Sequence, residues 1–319
     1  MLLELLKGNS RGNSLCNKYL RNFAVKGIFF HDRMLNRKSN SKIFKKELNK
    51  VLQDKDYKGS YRLSEIKENN DDIEELITYF KTNRDSINEK IMTTVSRYID
   101  SENFDKINVI LYAGGSDYGF CLLPKNLYIN VGMFIKNTEA MIATLSHEMY
   151  HARKIKYFSY IKLYCSKVFT KEKHFNIIFS EIIEEGIAAL IEYGTEHQYY
   201  DNSIVSLEEL ENAREYFGIL NDVVLRISEM TSAGQVKLEM KNYRRKRGNL
   251  CYVVGYILAK RVYDEVGTKG LNIWSKNYLC KEFMKKYLLS CKKNGIKSNF
   301  DPIIEETIMS GHYLEDIQQ

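Results

Sequence analysis

The sequence predicts an α+β protein, mostly α-helical, with one small β-sheet. Three observations carry this expectation. Apolar residues recur at helical spacing along most of the 319 residues, strand-like alternation is confined to one stretch after residue 104, and only two prolines, Pro124 and Pro302, interrupt the chain. Hydrophobic residues make up 44% of the chain and aromatic residues 12%, enough for a substantial core, and the 28% of charged residues fits a soluble protein.

Residues 1–103 read as a helical N-terminal region, with helices expected over Ser14–Lys26, Lys42–Leu52 and Asp71–Ile99. Asp71 and Asp72 suit the positive end of the last helix, and Ile73, Leu76, Ile77 and Phe80 give it an apolar stripe. Gly59 and Ser60 mark the loop before it. Residues 104–319 read as a second, larger domain that opens with a hairpin over 104–134. Its first strand, Lys106–Tyr112, is β-branched and apolar and runs into a turn cluster from Ala113 to Gly119. Its second, Asn126–Phe134, alternates Leu127, Ile129 and Val131 with Tyr128, Asn130 and Gly132. Helices are expected again over 138–156, 173–195, 206–228, 249–266 and 270–289, with a short tail.

No run of eighteen apolar residues is present, so no transmembrane segment is expected. The start, Met1 to Lys7, lacks a basic segment and a small-residue cleavage site, which predicts a cytoplasmic protein. The six cysteines lack C-x-x-C spacing and read as reduced thiols, with Cys121 and Cys251 in apolar surroundings. Net charge is +7, with one dense basic run at Lys241–Arg247 that reads as a solvated loop. No helix-turn-helix, RNA-binding or zinc-finger pattern accompanies it, so no nucleic-acid partner is expected. His31, His174, His197 and His312 have no ligand spacing and read as ordinary surface or core residues.

The chemistry is concentrated at His147-Glu148-Met149-Tyr150-His151. The flanks predict a helix: Asn137 or Thr138 can cap it, Glu139 suits its positive end, and Met141, Leu145 and Met149 form an apolar row. Four residues apart on a helix, His147 and His151 project from one face, where two neutral imidazoles can hold one Zn²⁺ per chain. Glu148 flanks that face and can take a proton from a water on the metal without ligating it.

A catalytic zinc needs a third protein ligand. Ser180–Glu192 is helix-like and supplies three carboxylates, Glu181, Glu184 and Glu185, among which spacing leaves the choice open. Glu181 and Glu185 share a face at i, i+4. Gly186, in mid-helix, costs about 1 kcal/mol relative to Ala and asks for a reason, such as close packing against a second helix or a metal ligand.

Glu185-Gly186-Ile187-Ala188 resembles the Glu-Gly-x-Ala segment of gluzincin metallopeptidases. Over Ile107–Gly267 the chain is similar to a group of bacterial zinc-dependent peptidases of uncharacterised substrate. The resemblance implies a zincin-like catalytic domain with a small sheet over the metal-binding helix, acting on a peptide or protein substrate. It makes Glu185 the third ligand and Glu184 the runner-up. It implies that the strand near the metal helix, Asn126–Phe134, offers an edge to an extended peptide. It also implies that Tyr252 or Tyr256, on the helix Asn249–Lys260, donates to the oxyanion formed during hydrolysis. The gap between His151 and Glu185 exceeds that of several gluzincin families, so residues 157–179 read as an insertion that returns the chain to the metal. Two other readings are a non-catalytic zinc-binding or peptide-binding protein on this scaffold, and a basic helical interaction module that holds no metal.

Overall fold

The computed structural model describes residues 1–8, 12–54, 56–100, 104, 106–122, 125–153, 171–198 and 203–310. Residues 154–170, which include 157–170 of the expected insertion and Cys165, and His312 lie outside them. The α+β expectation holds: the described residues are mostly helical and carry one three-stranded sheet. The chain divides into two compact units, Met1–Met92 with Phe104–Ala152 and Thr93–Asn103 with Arg153–Gln319.

The first unit begins with α1 (Leu2–Leu6), α2 (Gly12–Arg21), α3 (Phe23–Met34) and α4 (Ser41–Gln53). The single helix expected over Ser14–Lys26 is two, because Asn22 takes an extended conformation and its side chain accepts from Ala24 N, capping a new helix. Asn40 starts α4 in the same way, through Lys42 N and Ile43 N. After α5 (Leu63–Glu68), the long helix expected over Asp71–Ile99 is α6 (Asn70–Thr82) and α7 (Arg84–Ser96). They part at Asn83, whose backbone N–H and side-chain amide both donate to Tyr79 O.

The sheet corrects the expected hairpin. β1 (Asn108–Tyr112) and β3 (Asn126–Asn130) are neighbours but run parallel, and β2 (Gly119–Leu122) forms the antiparallel pair with β3. The strand order is β1-β3-β2, so β3 is central. One buried side chain accounts for the path. Asn130 accepts from Gly114 N and Gly132 N and donates to Gly114 O and Asp117 O, folding the connection back on the strand end. The bond to Gly132 N also caps a short 3₁₀ turn, Val131–Met133, so β3 stops at Asn130 rather than reaching Phe134.

The pleat gives the sheet two faces. Tyr112, Phe120 and Tyr128 pack with Ala24 and Ile28 of α3 on one side. Ile129 and Gly119, on the other, meet α8 (Thr138–His151). Leu127, Tyr128 and Ile129 are at most 1% exposed; burial of such side chains stabilises by about 1.5–3 kcal/mol each.

The second unit contains α9 (Lys171–Tyr193), α10 (Leu207–Glu211), α11 (Ala213–Glu229), α12 (Ala233–Val266), α13 (Thr268–Ser275), α14 (Cys280–Lys293) and α15 (Pro302–Ser310). The helix expected over 206–228 divides at Asn212, and the one over 270–289 divides after Ser275. α12 starts well before residue 249, at a capping box of Ser232 and Gln235. The basic run at Lys241–Arg247 is therefore helix and not loop. Lys and Arg are good helix formers, and Val236, Met240 and Tyr243 give that turn a buried stripe. Gly186 of α9 and Gly255 of α12 meet where these helices pack. Cys251 is buried as expected, whereas Cys121 is only partly buried. Among the described residues no helix is long and apolar enough to cross a membrane.

Candidate functional site

α8 carries the His-Glu-x-x-His segment. Its start is set by Asn137, whose side chain accepts from Ala140 N at 3.1 Å, as the flanking sequence predicts. Every residue from Ala140 to Tyr150 is buried, so the helix presents polar side chains to the interior rather than to water. Ser146 manages this by donating to Ile142 O at 3.0 Å.

His147 is 4% exposed and Glu148 8%; His151 is partly buried. The Nε2 atoms of His147 and His151 lie 3.2 Å apart, with the rings inclined at 64°. Two imidazole nitrogens sharing one tetrahedral zinc at about 2.0–2.1 Å stand about 3.3 Å apart. The separation of the two nitrogens therefore fits two ligands of one zinc ion. The side-chain carboxyl of Glu148 belongs to a residue whose Cγ would stand 3.1 Å from a Cβ built on Gly119, itself 3.0 Å from Tyr128 O. Gly119 thus lets β2 approach the Glu148 stem. Sequence reasoning missed it by reading Gly119 only as the end of a turn.

Beyond Gly119, Tyr112 is buried, and burial first, then the charges of Asp117 and Glu148, push its hydroxyl well above the usual range. Asp117 is held by both guanidinium nitrogens of Arg37 and lies 3.6 Å from His31 Nε2. Burial alone would raise its carboxyl, but His31 and Arg37 outweigh that and hold it at about 2. His31, expected to be an ordinary histidine, stacks face to face on Phe120 at 3.8 Å. The strand expected to offer an edge does not: Asn126–Asn130 is flanked on both sides, so its main chain is already paired. The strand beside Glu148 with an outer edge is β2.

In the second unit, Glu181, Glu184 and Glu185 sit on α9, all partly buried. Glu184 accepts two hydrogen bonds from Arg153, each 2.7 Å, and a third from Trp274 Nε1 at 2.7 Å. Both its oxygens are committed to this ion pair. Gly186 has the first of its two expected reasons: a Cβ there would lie 2.2 Å from Gly255 C and O. On α12, Tyr256 is buried and donates to Gly194 O at 2.8 Å, tying the end of α9 in place. Burial first, then neighbouring Tyr98, raises its hydroxyl pKa. Tyr252 is partly buried. Arg153 and Trp274 were invisible to motif reading. Their signal was weak: a charged residue in the wake of a buried helix, and the one tryptophan of the chain.

Comparison with known families agrees with this chemistry. A family described as "Putative zinc dependent peptidase (DUF5700)" matches residues 21–295, and the chain belongs to that family. No curated protein and no solved structure matches it.

Proposed function

We propose that this member of a zinc-dependent peptidase family hydrolyses peptide bonds with one zinc ion held by His147, His151 and Glu185, as gluzincins do on a zincin-like catalytic domain. The observation that carries the reading is the His147–His151 pair, its ring nitrogens 3.2 Å apart on a buried helix, with Glu148 directly after the first histidine. The choice of Glu185 over Glu184 is supported by the engagement of Glu184 with Arg153 and Trp274.

When bound, zinc polarises the peptide carbonyl and makes water acidic enough to be deprotonated near neutral pH. Glu148 is the proposed general base: it takes the proton from the attacking water and delivers it to the leaving nitrogen. Its burial shields the carboxylate from bulk solvent, and the close packing of Gly119 fixes its stem. The substrate is proposed to be an extended peptide adding to the outer edge of β2, which brings its main chain beside Glu148. Tyr252 or Tyr256 is the proposed oxyanion donor; in this structure the hydroxyl of Tyr256 donates to Gly194 O. The catalytic domain is proposed to span residues 104–319, with 1–103 as a helical N-terminal region, in a cytoplasmic protein.

Protein purified without chelators is expected to hold about one zinc per chain by elemental analysis and to cleave a peptide library in a chelator-sensitive way. His147→Ala and His151→Ala lose the metal. Glu148→Gln keeps it, because Gln preserves the shape, but turns over at least about 10²-fold more slowly because it accepts no proton. Stoichiometric zinc without any cleavage would leave a zinc-holding peptide-binding protein; wild type without zinc sinks the reading.

A further inference from the structure

The Arg153–Glu184 pair is an expensive feature. Arg153 is fully buried and Glu184 partly so; taking such charges out of water costs up to several kcal/mol per ion before their attraction offsets it, so an apolar pair of similar volume is often as stable. Here both carboxylate oxygens of Glu184 and all three guanidinium nitrogens of Arg153 are engaged. Glu184 accepts from Nη1 and Nη2 of Arg153 and from Trp274 Nε1, all at 2.7 Å. Arg153 Nε also donates to Ser275 O at 3.2 Å, and its guanidinium lies over the Tyr278 ring, 5.7 Å from the centroid. A planar fork gripped at both prongs, with a third donor on one of the carboxylate oxygens, leaves Glu184 no rotational freedom.

The place of the pair in the chain is what makes it informative. Arg153 follows His151 by two residues, and Glu184 directly precedes Glu185. Where α9 meets α12, the Gly186–Gly255 contact fixes how closely the helices approach. Such a contact does not fix rotation of α9 about its own axis. A side-chain atom about 6 Å from a helix axis moves about 1 Å for a 10° rotation, whereas metal–ligand distances tolerate about 0.2 Å. Packing of the buried Ile182, Ile183 and Ile187 limits that rotation coarsely, and the gripped carboxylate of Glu184, next to Glu185, adds a directional restraint.

We propose that the Arg153–Glu184–Trp274 cluster is a positioning device that sets Glu185 for metal binding. The proposal rests on the zinc-site reading above. It makes Arg153, Glu184 and Trp274 positioning residues, since none of them is proposed to touch metal or substrate.

The test separates positioning from stability. The double variant Arg153→Met with Glu184→Leu removes both charges together and keeps an apolar core. Its metal-free melting temperature is expected to equal or exceed that of wild type. Its zinc affinity, measured by competition with a chelating dye, is expected to fall about 10–100-fold. The visible spectrum of the cobalt-substituted protein should lose the intensity of a tetrahedral site. Trp274→Phe keeps an aromatic side chain, smaller than indole, and removes the Nε1 donor; it is expected to weaken zinc binding about tenfold, and it decides the question if the double variant does not fold. Unchanged zinc affinity in the folded double variant, or in Trp274→Phe when only that variant folds, overturns the positioning role and leaves the zinc site standing. A wild-type protein that takes up no zinc overturns both.

Discussion

Gly186 and Gly255 touch backbone to backbone: a Cβ on Gly186 would fall 2.2 Å from Gly255 C, and one on Gly255 would fall 2.3 Å from Ile182 O. Neither neighbour is a flexible side-chain tip that could swing aside. Gly186→Ala is therefore expected to push α9 off α12 and to destabilise the protein by about 3 kcal/mol, despite the better helix propensity of Ala. Urea unfolding of variant and wild type measures this. A gain in stability would show that the two helices are not held at this distance.

Among the acidic residues of α9, Glu185→Ala is expected to lower zinc affinity more than Glu181→Ala, since it removes one of three proposed ligands with its charge. Dye-competition titrations of both variants rank them. A larger loss from Glu181→Ala would move the third ligand one helical turn back and leave the histidine pair untouched.

Gly119 gives a prediction that no motif supplies. Gly119→Val places a branched side chain at 3.0 Å from Tyr128 O and 3.1 Å from Glu148 Cγ. Zinc content is expected to stay at the wild-type level while peptide turnover falls at least about tenfold, because about 1 Å of displacement at a catalytic group can cost 10²-fold. Wild-type turnover in Gly119→Val would separate β2 from catalysis.

Asp117 sets an acid limit on the first unit. Its carboxyl is held at about 2, against an ordinary value of 3.8, by His31 and Arg37 working against burial. A depressed folded pKa contributes stability that is present above the unfolded value and is lost as pH falls from about 4 through 2. The contribution amounts to about 2 kcal/mol. Asp117→Asn is expected to be less stable than wild type at pH 7 and to show a flatter stability profile between pH 4 and 2. Parallel profiles for the two proteins would remove Asp117 from the acid response.

The sequence by itself determined what depends on neighbours within a helical turn. The i, i+4 histidines and the Asn137 cap were legible, because a helix brings such residues together wherever it lies in the protein. The α+β class was legible for the same reason, from the period of the apolar residues. Only the tertiary structure decided what depends on partners far along the chain. β1 lies parallel to β3, and the strand expected to offer an edge is the central one, since pairing is chosen across the connection that Asn130 folds. Glu184 and Glu185 are adjacent and chemically identical; what distinguishes Glu184 is Arg153, 31 positions away, and Trp274, 90 positions away. Tyr256 likewise donates to Gly194 O, 62 positions back. Periodicity records which face of a helix is apolar, but a hydrogen bond between distant residues leaves no periodic trace, so their partners emerge only when the chain is folded.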